Sequence, residues 1–169
     1  VLAIAPSDNN YVYIYSAKSG TYGCQGVFQS TDMGVNFAQI TEEASEFFIS
    51  FGTGANTTWN MCIAVKPDDP QRIYIGGQIQ AWTWNGLGGS WTAMTSSGYP
   101  AWYPKYIHAD QHFITFHPEN PEIMYYGSDG GVSRSLNASS LYPDFATLNK
   151  GLNFYQANGV AIGIEGEAM

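Results

Sequence analysis

The stretch Ile63-Ala-Val-Lys-Pro67-Asp-Asp-Pro-Gln-Arg-Ile-Tyr-Ile75 predicts a hairpin of two short strands. Apolar residues alternate with other residues before Pro67, which is typical of a half-buried strand. Proline cannot donate to a sheet ladder, and Asp residues followed by a second Pro favour a turn. A second apolar run that contains a tyrosine follows the turn. The stretch therefore indicates β-structure.

The same pattern occurs three times, and the copies align without a gap. The other two are Leu2-Ala-Ile-Ala-Pro6-Ser-Asp-Asn-Asn-Tyr-Val-Tyr-Ile14 and Ile114-Thr-Phe-His-Pro118-Glu-Asn-Pro-Glu-Ile-Met-Tyr-Tyr126. The first prolines stand at positions 6, 67 and 118, so the spacings are 61 and 51 residues. Further short strands follow the hairpins, as in Gly131-Val-Ser-Arg-Ser135. About four short strands in a unit of about 50 residues is typical of propeller blades.

These repeats predict an all-β chain, a β-propeller fragment of about three four-stranded blades. We place blades at residues 1–58, 59–107 and 108–158, and the truncated first strand of a following blade at 159–169. Helical spacing is compatible only with Thr41 to Phe51. Closed propellers have about 4 to 8 blades. We therefore expect the remaining blades, from the same or another chain, to be partners that cover the exposed edges.

The composition excludes several classes of partner. The 169 residues include 6 Lys and Arg against 14 Asp and Glu, a net charge of −8, so nucleic acid and anionic membranes are not expected to bind. No apolar run reaches about 18 residues, so no membrane span is expected. With 44% hydrophobic residues the chain can build a core. Cys24 and Cys62 are compatible with a disulfide or with two thiols.

The stretch Ser30-Thr-Asp-Met-Gly-Val-Asn-Phe37 resembles an Asp-box, the S-x-D-x-G-x-x-W turn of bacterial neuraminidase repeats, with Phe37 in place of Trp. Asn85-Gly-Leu-Gly-Gly-Ser-Trp91 and Ser135-Leu-Asn-Ala-Ser-Ser140 resemble remnants of it. The resemblance implies a structural turn that contains Gly34. In this turn Ser30 and Asp32 accept backbone N–H groups while Phe37 packs beneath.

From Cys62 to Phe154 the chain resembles secreted Asp-box propellers of Bacteroidetes, which are often joined to a type IX secretion sorting tail. The matching words include His108-Ala-Asp-Gln-His112, Tyr126-Gly-Ser-Asp-Gly-Gly-Val132 and Gly151-Leu-Asn-Phe-Tyr-Gln156. This resemblance implies an extracellular or cell-surface location. Asp-box propellers include sialidases, xyloglucanase-type glycoside hydrolases and sortilin-like receptors, so the fold alone leaves the function open.

The word His108-Ala-Asp-Gln-His112 contains candidate metal ligands. If it is a strand, alternation places His108, Asp110 and His112 on one face. Ligands two residues apart on a strand can reach one ion, whereas His108 and His112 are four residues apart, roughly 13 Å at 3.3 Å per residue, so a single-ion site would need a bend or only two of the three groups. With that condition His108 and His112 are candidate ligands of a divalent metal, the one cofactor that the sequence suggests. Alternatively, these side chains form hydrogen bonds with neighbouring blades at the mouth of the propeller channel.

Two carboxylates are candidate catalytic groups, since glycoside hydrolysis needs a pair about 5 to 10 Å apart. Asp129 resembles the catalytic Asp of the T-D-x-G-G word of xyloglucanase-type enzymes, although one residue before the glycines is missing. Asp110 is its nearest candidate partner. The Asp-Gly-Gly word is also ordinary turn chemistry, because Gly adopts positive φ. A sialidase would need an Arg cluster, and the chain contains only Arg72 and Arg134.

Aromatic residues favour a binding role. Trp59, Trp102 and Tyr103 stand in loops rich in Gly or Pro, where a ring can stack on a sugar or a partner side chain, and His108 and His112 are further candidate ligand-binding residues. By contrast, Trp82 and Trp84 alternate on one strand and are expected to pack.

The sequence favours a secreted or cell-surface binding and scaffold module for a polysaccharide or surface protein. The first alternative is a xyloglucanase-like glycoside hydrolase in which Asp129 is a catalytic carboxylate. A purely architectural role is the third possibility.

Overall fold

The computed structural model describes residues 1–18, 23–41, 59–86 and 89–152, and within these ranges the secondary structure is entirely β. Twelve strands of the described residues form three four-stranded antiparallel sheets, which we call blades 1, 2 and 3. The expected all-β fragment of about three blades is therefore confirmed. The following strand predicted at 159–169 lies outside the described residues, as does the possible helix after Thr41.

The strands of each blade are consecutive in the chain and adjacent in the sheet. Blade 1 contains β1 (Leu2–Ile4), β2 (Val12–Ala17), β3 (Cys24–Ser30) and β4 (Ala38–Gln39). Blade 2 contains β5 (Cys62–Lys66), β6 (Asp69–Gly76), β7 (Trp82–Asn85) and β8 (Ser90–Ala93). Blade 3 contains β9 (Gln111–His117), β10 (Asn120–Ser128), β11 (Gly131–Ser135) and β12 (Phe145–Thr147). The limits predicted between blades stay predictions.

The three repeated stretches form the first hairpin of each blade. Leu2 pairs with Ile14 in blade 1, and Ile63 pairs with Ile75 in blade 2. In each hairpin the proline at position 6, 67 or 118 lies in the turn. Because proline has no N–H to offer a ladder, the strand ends at or just before this residue.

Two clusters of buried side chains join the blades. The cluster between blades 1 and 2 includes Tyr13, Tyr15, Ile73, Ile75 and Trp84. The cluster between blades 2 and 3 includes Tyr74, Ile114, Met124 and Tyr126. Trp82 packs against the first cluster, so the expected packing pair is confirmed. Full burial of one large apolar side chain contributes about 1.5–3 kcal/mol, so these clusters dominate the cohesion of the blades.

Polar contacts also cross from blade to blade. The Tyr13 hydroxyl donates to Pro70 O at 2.7 Å, and the Tyr74 hydroxyl donates to Ala138 O at 2.8 Å. The buried ammonium of Lys66 in blade 2 lies 3.0 Å from Glu122 Oε1 in blade 3. Each blade is therefore fixed to the next by directional bonds as well as by apolar packing.

The faces that point away from blade 2 carry exposed apolar side chains. Leu2 and Ile4 of blade 1 are more than half exposed, as is Phe113 of blade 3. This exposure fits a propeller fragment whose further blades would cover both faces. The described residues contain no helix that is long and apolar enough to cross a membrane.

Cys24 and Cys62 are free thiols in this structure. Both are buried, and burial raises the pKa of each thiol to about 12. The thiols are consequently neutral and pack as small apolar groups.

Ser30 and Asp32 accept hydrogen bonds within the turn after β3. Ser30 Oγ accepts from Gly34 N at 2.9 Å, and Asp32 Oδ1 accepts from Asn36 N at 2.9 Å and from Ser30 Oγ at 2.7 Å. Phe37 is 39% exposed, so it covers the turn only in part. The bonds from Asn36 N, from Ser30 and from the Asn36 amide lower the pKa of Asp32 from 3.8 to about 2.

We predict that the Asp32 carboxyl titrates at about pH 2 in the folded chain. Because its folded pKa lies below its unfolded value, its contribution to stability is present above about pH 4 and is lost as the pH falls through about 2. Carbon-detected NMR titration of the side-chain carboxyl measures this midpoint. The Ser30→Ala variant removes one donor and should raise the midpoint. A midpoint near 3.8 in the unchanged chain would contradict the described turn.

A second prediction compares two buried tyrosines at the interface of blades 2 and 3. Tyr74→Phe leaves the Ala138 carbonyl buried without its donor, so we expect a loss of about 1–2 kcal/mol in the free energy of unfolding. The Tyr126 hydroxyl is buried and has no partner among the described residues, so Tyr126→Phe should be neutral or stabilising. Urea unfolding of both variants measures the difference, and equal effects would contradict the assigned hydrogen bonds.

Candidate functional site

Connections at one end of blades 2 and 3 bring several predicted site residues together. Cys62 pairs with Gly76, so the residues before β5 and the β6–β7 connection lie at the same end of blade 2. Gln111 pairs with Ser128, which places the start of β9 beside the β10–β11 turn. Hydrogen bonds described below join the two sets of connections. We call this end the upper edge.

An ion pair lies at the centre of the upper edge. His112 Nε2 lies 2.7 Å from Asp129 Oδ1, and the two side chains are 43% and 46% exposed. The other ring nitrogen, His112 Nδ1, lies 3.3 Å from Trp59 O. His112 therefore connects the segment before β5 with the β10–β11 turn.

Asp110 occupies the same edge in an unusual backbone conformation. Its φ is 59°, the left-handed region that few residues other than Gly adopt, although Asp tolerates it better than most. Asp110 N donates to Gln78 O at 2.9 Å, and Asn60 Nδ2 donates to Asp110 Oδ1. Asp129 N donates to Asp110 O at 3.2 Å, so the two candidate carboxylates belong to adjacent backbone segments.

The prediction that His108, Asp110 and His112 share one strand face is wrong. Strand β9 begins at Gln111, so His108 and Asp110 precede it. The positive φ of Asp110 breaks the extended backbone on which alternation depends. The His108 ring instead lies against Gly130, where a Cβ atom would overlap it, and His108 Nδ1 contacts Ala109 O at 3.0 Å.

The arrangement does not support the predicted divalent metal. Within the described residues no group of three or more His, Cys, Asp or Glu side chains could hold an ion. Both ring nitrogens of His112 lie within hydrogen-bond distance of protein oxygens, Trp59 O and Asp129 Oδ1.

Gln111 is buried under the upper edge and bonds to two of its segments, a role that the sequence analysis did not predict. Its side chain has no exposed surface, yet Gly77 N donates to Gln111 Oε1 at 3.1 Å and Gln111 Nε2 donates to His108 O at 3.2 Å. Gln111 therefore joins the β6–β7 connection of blade 2 to the His108 segment of blade 3. Asn60 was missed as well. The sequence features that could have identified these two residues are the position of Gln111 within the HADQH word and the position of Asn60 next to Trp59.

Carboxylate oxygens of the upper edge have unused capacity to accept hydrogen bonds. Asp110 and Asp129 each bind a donor through Oδ1, and in the described part of the chain the second oxygen of each receives none. Both ring nitrogens of His112 are already within hydrogen-bond distance of protein oxygens. The Trp59 side chain, on the residue whose carbonyl contacts His112, is 78% exposed. The edge therefore combines a free aromatic face with carboxylate acceptors.

Trp102 and Tyr103 are exposed, as expected, but lie elsewhere. Pro104 O accepts from Phe145 N at 2.7 Å, and Phe145 pairs with Ser135. Ser135 is at the opposite end of β11 from Gly131, roughly 13 Å away at 3.3 Å per residue. The loop that carries these two rings is bonded to blade 3 at Phe145 and, through Ser97 N and Ile79 O, to the β6–β7 connection of blade 2. No contact in the described residues joins either ring to His112, Asp110 or Asp129.

Comparison with known proteins supports the fold alone. No model of a protein family matches the chain, and no curated protein matches it. The structure is similar to the GH74 enzyme of Niastella koreensis, with a TM-score of 0.59 and 20% identity over 88% of this chain. For the GH74 xyloglucanase of Xanthomonas campestris the TM-score is 0.30 and the identity 12%, also over 88% of this chain. The chain spans 22% and 30% of the lengths of these two proteins. The three blades are thus a β-propeller fragment with glycoside hydrolases among its structural neighbours.

Proposed function

We propose that the chain is a binding and scaffold module of a secreted or cell-surface propeller, and that its upper edge recognises a neutral, hydroxyl-rich glycan. The observation that carries the proposal is that the exposed residue Trp59, whose backbone carbonyl contacts His112, belongs to the same edge as Asp110 and Asp129, whose second oxygens receive no hydrogen bond from the described residues. The resemblance of the sequence to secreted Asp-box propellers supports the location.

A glycan fits both parts of this edge. A pyranose ring has an apolar face of C–H groups that can lie on the Trp59 ring, and its hydroxyls can donate to the second oxygens of Asp110 and Asp129. A carboxylate accepts two such bonds without any change of its own protonation. Recognition would therefore combine stacking for affinity with acceptor geometry for orientation.

Charge favours a neutral ligand over an anionic one. The chain has a net charge of −8, and the upper edge carries two carboxylates, Asp110 and Asp129, and the imidazoles of His108 and His112. Sialylated, uronic or sulfated glycans would place like charges against Asp110 and Asp129, which costs binding free energy. A protein ligand would need to supply hydrogen-bond donors in the same positions. The experiment below distinguishes a protein ligand from a glycan.

We predict that Trp59→Ala abolishes or strongly reduces binding to neutral oligosaccharides, because it removes the stacking surface. Trp102→Ala is a matched control, since Trp102 is 81% exposed but has no contact with His112, Asp110 or Asp129 among the described residues. The measurement is binding of the 169-residue chain and both variants to an array of neutral and anionic oligosaccharides. Loss of one stacking contact between an aromatic ring and a sugar is expected to reduce the affinity by about tenfold or more.

Three results would contradict the proposal. They are binding that depends on Trp102 rather than Trp59, a preference for anionic glycans, and no binding to any oligosaccharide on the array. In the last case, capture of a purified surface protein that depends on Trp59 would indicate a protein ligand instead.

A glycoside hydrolase is the second candidate, favoured by the two carboxylates on adjacent segments of the upper edge. In this candidate Asp129 would act as a base or nucleophile, and a different group would protonate the leaving oxygen.

For this candidate we predict that Asp129→Asn lowers glycanase turnover by about 10²–10⁴-fold, the usual contribution of an acid–base group. Glu119→Gln is the control, because Glu119 is an exposed carboxylate in the Pro118 turn, at the end of blade 3 opposite the upper edge. Reducing-sugar release from neutral polysaccharides measures the rate. Full activity in Asp129→Asn would exclude the catalytic role while leaving the binding proposal intact.

A further inference from the structure

We propose that blade 3 docks onto blade 1 of a second copy of this chain, so that two copies close one ring of blades. The contact joins the faces of blades 1 and 3 that point away from blade 2, which we call the open faces. Tyr125 and Arg134 on the open face of blade 3 supply the hydrogen-bond donors of the contact. This inference goes beyond the glycan site and does not depend on it.

The open face of blade 1 repeats the faces through which blades 2 and 3 stack on the blade before them. Four apolar positions recur at the spacings that relate the three hairpins. In blades 2 and 3 these side chains belong to the buried clusters or pack against them. In blade 1, Leu2 and Ile4 are more than half exposed, so blade 1 presents a stacking face that no described blade covers. The four positions are Leu2, Ile4, Val12 and Ile14 in blade 1, Ile63, Val65, Ile73 and Ile75 in blade 2, and Ile114, Phe116, Met124 and Tyr126 in blade 3.

A tyrosine at one repeated position bonds each blade to the next. Tyr13 and Tyr74 occupy this position in blades 1 and 2. Their hydroxyls donate to Pro70 O at 2.7 Å and to Ala138 O at 2.8 Å, each in the following blade. Tyr125 occupies the same position in blade 3, on the open face, because both of its neighbours in β10 pack toward blade 2. Its hydroxyl has no acceptor among the described residues, so this face carries a docking donor that is not yet used.

An arginine accompanies the tyrosine at the contact between blades 2 and 3, and again on the open face of blade 3. The Arg72 guanidinium carbon lies 5.8 Å from the centroid of the Tyr74 ring, and Arg72 Nη2 donates to Ser140 O at 2.7 Å. Arg134 pairs with Tyr125 across the β10–β11 ladder, and paired residues of antiparallel strands share a face. The open face of blade 3 therefore has the same two kinds of donor that blade 2 directs at backbone carbonyls of blade 3.

The turn after β3 has the structure of the turn that accepts these donors. Ala138 and Ser140 belong to the turn after β11, and Met33 and Val35 occupy the matching places after β3. In both turns a serine hydroxyl donates to the side chain two residues later, and a backbone N–H donates to a carbonyl of the first hairpin. Met33 and Val35 are more than two-thirds exposed, so the turn after β3 is accessible to the donors of a second copy. The matching bonds are Ser135 Oγ to Asn137 Oδ1 at 3.0 Å and Ala138 N to Glu122 O at 3.1 Å in blade 3, and Ser30 Oγ to Asp32 Oδ1 at 2.7 Å and Met33 N to Asn10 O at 3.1 Å in blade 1.

Two copies are the number that closes the ring. Because the contact joins two different faces, each copy keeps one free face after the first contact, and the series of contacts either closes or continues as a filament. Closed propellers have about 4 to 8 blades. Two copies of three blades give six, whereas three copies give nine. In the ring of two, each copy covers both open faces of the other.

Light scattering after size-exclusion chromatography measures the mass of the 169-residue chain. We expect twice the chain mass of 18.5 kDa. Leu2→Asp and Phe113→Asp each replace a side chain that is more than half exposed on one of the two open faces. Docking would bury the new carboxylate without a partner, so both variants should be monomers that keep the β-structure of the unchanged chain. Leu141→Asp is the control, because Leu141 is exposed next to Ser140, on the turn that bonds to blade 2.

Two further measurements test which faces and which donors meet. A mixture of Leu2→Asp and Phe113→Asp keeps one unchanged contact, so we expect pairs to form at concentrations where neither variant pairs alone. Tyr125→Phe removes one donor from each of the two contacts in the ring and should raise the dissociation constant about tenfold. Tyr126→Phe is the matched control, because its hydroxyl is buried inside the chain.

The outcomes are distinct. A chain that is monomeric up to about 0.1 mM would overturn the proposal and assign the open faces to a different partner. A pair that only one of the two Asp variants breaks would indicate a contact between like faces and would overturn the head-to-tail arrangement. Masses that grow beyond a pair would overturn the ring of two. Equal effects of Tyr125→Phe and Tyr126→Phe would remove Tyr125 from the contact. No oligosaccharide enters these measurements, so the glycan proposal is tested separately.

Discussion

Blade 2 depends on neighbours for both of its faces, and this constraint organises the rest of the structure. Along β6, Ile73 and Ile75 belong to the cluster shared with blade 1, while Tyr74 between them belongs to the cluster shared with blade 3. All three side chains have no exposed surface. A four-stranded sheet with two apolar faces cannot bury both alone, so stacking of consecutive blades is a condition of stability. The hydroxyls of Tyr13 and Tyr74 then fix each stacking contact to a specific backbone carbonyl.

The upper edge is a direct consequence of this stacking. Gln111 of blade 3 accepts from Gly77 of blade 2, and Asp110 N donates to Gln78 O of blade 2. Neither blade contains the site by itself, since Trp59 and Asn60 precede blade 2 and Asp129 belongs to blade 3. Any change that separates the two blades is therefore expected to remove stability and recognition together, whereas changes at the exposed side chains affect recognition alone.

The hairpins could be predicted from the sequence because their causes are local. Alternation and the prolines at positions 6, 67 and 118 act within a few residues, and the paired strands form where these signals place them. The strand predicted through His108 failed because Asp110 adopts a positive φ, which tertiary bonds to Gln78 and Asn60 maintain. The hydrogen bond between Asn60 and Asp110 joins residues 50 positions apart in the sequence, and no short motif predicts it. For the same reason the sequence could not separate Trp59, whose carbonyl contacts His112, from Trp102, which has no such contact among the described residues.

The two interpretations of the Asp129-Gly130-Gly131 word, ordinary turn and functional carboxylate, turn out to be compatible. Gly131 adopts a φ of 99°, and the absence of a side chain at Gly130 leaves room for the His108 ring. These properties produce a tight two-residue connection between Ser128 and Gly131, which fixes the backbone of Asp129. A carboxylate on so short a connection loses little conformational freedom when it meets His112 or a ligand, so less of the binding free energy is spent on ordering it. The turn chemistry is thus the means by which the carboxylate is positioned, and evidence for the turn does not count against a role for Asp129.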